Sequence, residues 1–285
     1  MFATMVERVI WFNGAFSNDE KCVSIRDRGF LLGDGAFETL LLRGGNPAFF
    51  DAHMSRLKKA LKILRIETVP TEGWRSVVQQ LWRRNDYSGG YGVARITVTR
   101  GLSGRGLSPV KTNPTVLITV EQVDLTEKSS YRLTIAKSVR FSGATANGFK
   151  SLSGYVENII ARHDAVEAGF DDAVLLNEHG RVACSTIANI YLIRGDGVIV
   201  TPPLTEGACP GVTRALVIEL AGASGVEVHE QPVCVEALAS NDVFLTNSLI
   251  GLQSARIDEF EEQKSSSLIL GLQSAYAACM EKEFT

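Results

Sequence analysis

The chain has 285 residues, 45% of them apolar and 21% charged, with a formal net charge of −3 at pH 7. That length serves one large or two medium domains with a full core. With no run of Lys or Arg, the charge balance argues against nucleic acid as a main partner. The apolar runs are too short to span a bilayer and the opening MFATMVERVIWFNG lacks a signal-peptide core, so no membrane partner is expected, and the odd number of widely spaced cysteines makes a reduced, cytoplasmic location the simplest expectation.

Residues 8–50 read as short strands and turns, RVIWFNGAF, KCVSIRD and ETLLLRGGNPAFF, with RGGNP as a hairpin signal. The stretch 53–66, HMSRLKKALKILRI, predicts a helix with Met54, Leu57, Leu61 and Leu64 on one face and lysines opposite. EGWRSVVQQLWRRN predicts a second helix. GGYGVARITVTRG and PTVLITVEQVD read as strands around the Gly-rich loop GLSGRGLSP. The polar run DLTEKSS, residues 124–130, lacks periodicity and reads as a linker between a small domain, 1–123, and a larger one, 131–285.

The second half restarts with a strand, YRLTIAKSVR, then a loop, FSGATANGFK, then a helix over SLSGYVENIIARHDAVEAG. Leu152, Tyr155, Val156, Ile159, Ile160 and Val166 make that helix's apolar stripe, and Gly169 its end cap. Strands and turns continue to residue 201. They include GRVACSTIANIYLI, 180–193, read as a turn running into a strand. VTRALVIELAGASG predicts a helix, DVFLTNSLIGLQSARI is strand-like, and SSSLILGLQSAYAACMEKEF closes with a helix. The elements do not alternate as βαβ units, which favours an α+β protein of two domains. No G-x-G-x-x-G follows a strand and no P-loop occurs, so dinucleotide and P-loop chemistry lack support.

The five cysteines are widely spaced and include no C-x-x-C pair, so neither a disulfide framework nor a zinc site is indicated. His53, His163 and His179 share no metal-ligand spacing. They read as helix-surface, helix-face and turn residues, and no metal is expected.

Lys150 stands just before the predicted helix, whose opening turn holds the capping residues Ser151 and Ser153. The positive end of a helix dipole there would favour a neutral, nucleophilic amine, as Schiff-base chemistry needs. A solvated lysine at a helix start fits the same residues. Tyr155 either approaches a group bound to Lys150 or belongs to the core. CPGVTRALV puts Pro210, Gly211, Val212 and Thr213 at a helix start, where free N–H groups and a hydroxyl suit a phosphate, although many helices begin this way. Arg56 would pair bidentately with such a phosphate, but the sequence by itself favours a solvated helix arginine.

Together, RDRGFLLGDGAFETL, His53-x-x-Arg56-Leu57, Lys150-Ser-Leu, Asn189-Ile-Tyr and PGVTR resemble the class IV aminotransferases. These are the fold type IV pyridoxal-phosphate enzymes, which include branched-chain and D-amino acid aminotransferases and aminodeoxychorismate lyase. The resemblance implies an α+β, two-domain fold with a small N-terminal α/β domain and a larger C-terminal domain with a β-barrel-like core. It implies pyridoxal 5'-phosphate bound between the two, in a homodimer with shared sites. Lys150 would hold the cofactor as a Schiff base and, once substrate displaces it, move the substrate's α-proton. Arg56, Val212, Thr213 and Ser248 would bind the phosphate, and Tyr155 the cofactor's phenolic oxygen.

Cys184 departs from that pattern. Relatives carry Glu at this position, five residues before the Asn of N-[LIV]-[FY], where it pairs with the pyridine nitrogen and keeps it protonated. The neighbouring Ser185, Thr186 and Ile187 match relatives reading G-T-I, which argues against a slipped register. A thiol offers only a weak hydrogen bond, and apolar burial raises its pKa. An unprotonated ring and slower or altered carbanion chemistry follow; the alternative is a packing residue, with water or another group serving the nitrogen. Cys209 replaces the usual aliphatic residue before PGVTR, a change that packing absorbs.

Arg105 stands where D-amino acid aminotransferases clamp the substrate carboxylate, but Leu107 occupies the place of their His. The loop looks more like the lyase pattern S/T-R-G-x-G-G-R-G. FLTNSLIGL is close to lyase sequences as well, yet continues Gln253-Ser254 where they carry Pro-Val. Pocket walls fall near Phe37, Thr39, Leu41, Arg105 and Leu107. The implied activity is an aminotransferase moving an amino group from an amino acid or amine to a 2-keto acid. Alternatives are aminodeoxychorismate lyase, releasing pyruvate and 4-aminobenzoate, and a cofactor-binding protein with weak catalysis because of Cys184.

Overall fold

A computed structural model describes residues 8–19, 21–67, 69–108, 113–125, 128–257 and 267–284. Thr126 and Glu127 of the expected linker, residues 1–7 of the opening stretch and Pro109 of the Gly-rich loop lie outside the described residues. The chain divides into two compact units. The first runs to Leu125 and also takes Phe149–Ser153 and Phe284; the second takes Thr126–Gly148 and Gly154–Glu283.

The first unit holds β1 (Ile10–Phe12), β2 (Ala15–Ser17), α1 (Arg28–Leu32), β3 (Gly35–Arg43), β4 (Asn46–Pro47), α2 (Phe50–Leu64), α3 (Trp74–Arg84), β5 (Tyr91–Thr99) and β6 (Thr115–Val123). Its sheet is antiparallel, in the order β2-β1-β6-β5-β3-β4. Side chains alternate across a strand, so Ala36, Leu40 and Leu42 of β3 enter the core with Leu57 and Leu61 of α2 and Trp74, Val78 and Leu81 of α3. Phe37, Thr39 and Leu41 occupy the other face of β3.

KCVSIRD forms no strand. It runs through turns into Asp27, whose carboxylate caps α1 from Gly29 N–H at 2.7 Å and accepts the hydroxyls of Thr99 and Thr115. Local side-chain bonding has replaced a ladder there.

The segment carrying Lys150 also corrects the expectation. It is extended against β3, with Phe37 N–H donating to the Lys150 carbonyl at 3.0 Å and Leu152 N–H to the Gly35 carbonyl at 3.1 Å. These bonds satisfy the backbone that a helix from Ser151 would have used, so Ser151 and Ser153 cap no helix. Gly35 makes the approach possible: a Cβ there would lie 2.5 Å from the Val98 carbonyl oxygen and 2.8 Å from Leu152 Cδ1.

The second unit holds β7 (Tyr131–Arg140), α4 (Val156–Glu167), β8 (Asp172–Asn177), β9 (Val182–Ser185), β10 (Asn189–Ile193), β11 (Ile199–Thr201), α5 (Val212–Ala223), β12 (Val228–Glu230), β13 (Asp242–Asn247), β14 (Gly251–Ile257) and α6 (Ser267–Phe284). Its sheet runs β12-β11-β10-β13-β14-β7-β8-β9. The stretch 180–193 is two strands, because Ser185 folds a turn by accepting from Ala188 N–H at 3.0 Å. That short turn joins β9, at one end of the ladder, to β10, near the other, so the sheet curls back on itself as a half-barrel.

Helix α4 starts at Val156 and turns its stripe outward. Val156 is 57% exposed, Ile159 64%, Ile160 49% and Val166 56%. Asn158, Ala161 and Ala165 face inward instead, because small residues let α4 lie close on β7 and β8.

Candidate functional site

Glu38 on β3 faces α2. Its carboxylate accepts from Arg56 Nε at 2.8 Å and Nη2 at 2.6 Å, and from His53 Nδ1 at 2.7 Å. Glu38 and His53 are each 1% exposed and Arg56 8%. Burial by itself would raise the Glu38 pKa; the hydrogen bonds and charges of Arg56 and His53 hold it below the usual carboxylate range. Burial drives His53 below its ordinary value, against the pull of Glu38. His53 is thus a neutral ring donating Nδ1–H to an ionised Glu38 that already pairs with Arg56. Neither His53 nor Arg56 lies solvated on the helix surface, which overturns the surface reading of both.

On the other face of β3, Lys150 Nζ lies 4.9 Å from the centroid of the Phe37 ring, with the Arg95 guanidinium 3.8 Å from the same ring. The charge of Lys150 also reaches His53. Lys150 is half-buried and its backbone is fixed by β3. Helix α4 begins only at Val156, and a dipole's influence fades within the first turn, so strand pairing positions this amine. Thr39 and Leu41 share its face of β3, whereas Arg105 and Leu107 are exposed on the Gly-rich loop.

In the second unit, Cys184 on β9 is buried, and burial pushes its thiol up to about 11, with the Arg140 charge opposing. Arg140 donates from Nε to the Gly207 carbonyl at 2.6 Å and from Nη1 to Asn158 Oδ1 at 3.0 Å, and Asn158 in turn holds the Thr186 carbonyl at 2.6 Å. Asp172 and Cys209 also act on Cys184 electrostatically. At neutral pH this is a protonated thiol among fixed dipoles.

Cys209 leads into α5. Its carbonyl accepts from Asn189 Nδ2 at 2.9 Å, and a Cβ on Gly211, the residue before α5, would sit 2.2 Å from Asn189 Oδ1. No side chain caps the first N–H groups of α5, which leaves Val212 and Thr213 N–H unclaimed by a capping side chain. Thr213 is buried, with its hydroxyl hydrogen-bonded to Tyr276 of α6. Tyr155 immediately precedes α4 and Ser248 sits in the turn between β13 and β14, both half-buried.

Taken unit by unit, these residues offer groups that suit parts of a phosphorylated pyridine aldehyde. A fixed lysine amine suits the aldehyde. The start of α5, where no side chain caps the helix, suits a phosphate. Arg56 is a preorganised buried cation. The position of Cys184 offers a ring nitrogen no carboxylate.

A family model described as amino-transferase class IV matches residues 35–257. The chain belongs to the class IV aminotransferase family. A Methanocaldococcus jannaschii protein named for branched-chain-amino-acid aminotransferase activity is 32% identical over 244 residues, 84% of each chain. The aminodeoxychorismate lyase of Bacillus subtilis is 31% identical over 246 residues, 85% of this chain and 84% of its own. Among solved structures, a T.th. branched-chain amino acid aminotransferase complexed with N-(5'-phosphopyridoxyl)-L-glutamate superposes with a TM-score of 0.87 at 26% identity, over 98% of this chain and 96% of its own. The described residues form two curled sheets with six α-helices, the α+β architecture of fold type IV. No described helix is long and apolar enough to cross a membrane.

Sequence reasoning missed Glu38 and Arg140. His53 and Arg56 fall on the stripe of Met54, Leu57 and Leu61, and that stripe was the available signal. Their partner, 15 and 18 residues away on a strand, was not visible from the helix alone.

Proposed function

We propose that this chain is a pyridoxal 5'-phosphate-dependent aminotransferase that moves an amino group from an amino acid or amine to a 2-keto acid. The carrying observation is Lys150, an amine fixed by β3 beside Phe37, in a chain of this family. When bound, the cofactor supplies an aldehyde to capture an amine and a conjugated ring to take up electrons from the substrate's α-carbon.

The chain's residues divide the remaining work. Lys150 would hold the cofactor through its aldehyde and would move the substrate's α-proton on Nζ. Arg56 and the Val212, Thr213 and Ser248 groups hold the phosphate. Glu38 offsets the buried charge of Arg56 and fixes its plane. Tyr155 bonds the phenolic oxygen. Phe37 and Thr39 wall the substrate side of β3, with Arg105 and Leu107 meeting the substrate's far end. Cys184 leaves the ring nitrogen without an acid, which favours its unprotonated form.

A homodimer fits the apolar residues each unit leaves exposed, Phe30, Leu31 and Leu32 in the first and Val156, Ile159 and Ile160 in the second. Small-molecule donors and acceptors, with no nucleic acid or membrane partner and a cytoplasmic location, complete the reading. The aminodeoxychorismate lyase reading is supported by the Thr99-Arg100-Gly101 to Gly106 loop and by a lyase relative almost as similar as the aminotransferase one.

The test is a panel of L- and D-amino acids and arylalkylamines with pyruvate or 2-oxoglutarate. Keto-acid-dependent turnover is expected, and Lys150→Ala should lower it on the order of 10³-fold. Release of pyruvate and 4-aminobenzoate from aminodeoxychorismate without an acceptor would select the lyase. Wild-type turnover in Lys150→Ala would refute both.

A further inference from the structure

Arg28 is a charged residue placed where charges are seldom buried. It is 4% exposed on the five-residue helix α1. Its Nε donates to Asp34 Oδ2 at 2.8 Å. Its other two guanidinium nitrogens leave the helix altogether: Nη1 donates to the Gly106 carbonyl at 2.8 Å and Nη2 to the Leu107 carbonyl at 3.0 Å. Its backbone N–H donates to the Gly101 carbonyl at 3.0 Å. One buried residue therefore grips both ends of the loop 101–107.

The surroundings stiffen the grip. Asp34 is shared with Arg100, which donates to it from Nε at 2.7 Å and ties the carbonyls of Leu64 and Arg65 at the end of α2. Burial would raise the Asp34 pKa, but the two arginines hold it low, so the carboxylate stays ionised between them. Asp27, next to Arg28, binds the Thr99 and Thr115 hydroxyls at the strand ends that flank the loop.

What the loop displays is Arg105, exposed and without an ion pair or hydrogen bond among the described residues. A flexible arginine loses side-chain and loop entropy when it captures an anion; one on a pinned loop loses less. Burying a guanidinium to bind two carbonyls of an otherwise exposed loop is costly unless loop shape matters.

We propose that Arg28 is a positioning residue that holds the 101–107 loop so that Arg105 meets a substrate carboxylate. This rests on the reading of Arg105 as a substrate-binding residue. Arg28 acts through the backbone of Gly106 and Leu107 and touches no reacting atom.

The test uses the holoenzyme and two measurements. Amide exchange at residues 104–108 should speed up at least tenfold in Arg28→Gln, with cofactor absorbance unchanged. The KM for the donor turned over fastest among L-leucine, L-glutamate and D-alanine should rise about tenfold with kcat held within twofold. In an Arg105→Leu background the same change should move KM less than twofold. Gly106→Ala serves if Arg28→Gln does not fold: at φ +103 alanine strains the loop while its Cβ meets nothing within 4 Å. It should reproduce the KM rise. Unchanged amide exchange in the variant that folds, or an equal KM rise with and without Arg105, overturns the role of Arg28. If Arg105→Leu alone leaves KM unchanged while exchange still speeds up, the substrate role of Arg105 falls and the hold by Arg28 stands.

Discussion

Two buried positions, Glu38 in the first unit and Cys184 in the second, treat charge in opposite ways. In the first, Glu38, His53 and Arg56 form a buried cluster in which the acid is ionised, doubly bonded by Arg56 and backed by a neutral histidine. In the second, the Cys184 position holds a neutral thiol, while Arg140 is bonded to a carbonyl and an amide oxygen. In the first, a buried acid offsets and orients a cation; in the second, the buried side chain is neutral. An anion-binding cation needs a fixed plane and an offset charge, and the first region has both. Under the proposed function, a ring nitrogen beside Cys184 would find a neutral thiol at that position, so the departure would bear on reaction chemistry more than on cofactor retention.

The largest effect expected from breaking this contrast is at Glu38. Glu38→Gln leaves Arg56 buried without its carboxylate and should lower the unfolding free energy by about 3–5 kcal/mol in urea titration. Because the Glu38 pKa is depressed on folding, the wild-type contribution is present above the ordinary carboxylate range and is lost only as pH falls through the folded value. A loss below ~1 kcal/mol would mean that the cluster is not a unit.

The thiol gives a smaller effect at the other end of the pH scale. Between the ordinary thiol value near 9 and about 11, the folded state keeps a proton on Cys184 that the unfolded chain has released. Unfolding free energy then falls as pH rises across that window, by about 3 kcal/mol in total. Cys184→Ala should lack this alkaline slope, and an identical slope would show the thiol titrating normally. Cys184→Glu sharpens the same contrast: it should alter the pH dependence of the bound cofactor's absorbance and change turnover. No change in either sinks the idea of an acid-deficient ring site.

Much of the fold was legible because its signals are local. The stripes of α2 and α3, the RGGNP hairpin and the long strands β5 and β6 follow from period and turn chemistry. Two misreadings share one cause. The helix expected from Ser151 starts at Val156 because 150–152 pairs with β3, and the α4 stripe faces outward because Ala161 and Ala165 supply the close packing surface. Both depend on partners remote in sequence. The site divided likewise. Lys150, the PGVTR helix start and Cys184 stood out through their motifs, whereas Glu38, Arg140 and the Arg28 grip act through contacts between distant elements.

The central claim is that Lys150 carries the cofactor, and one measurement meets it directly. The holoenzyme is reduced with borohydride, digested, and mapped by mass for a phosphopyridoxyl group on lysine. The account predicts that the group sits on Lys150 and is absent from the same peptide after prior incubation with an amino donor. A label on another lysine, or a holoenzyme that takes up cofactor but yields no labelled Lys150, contradicts it.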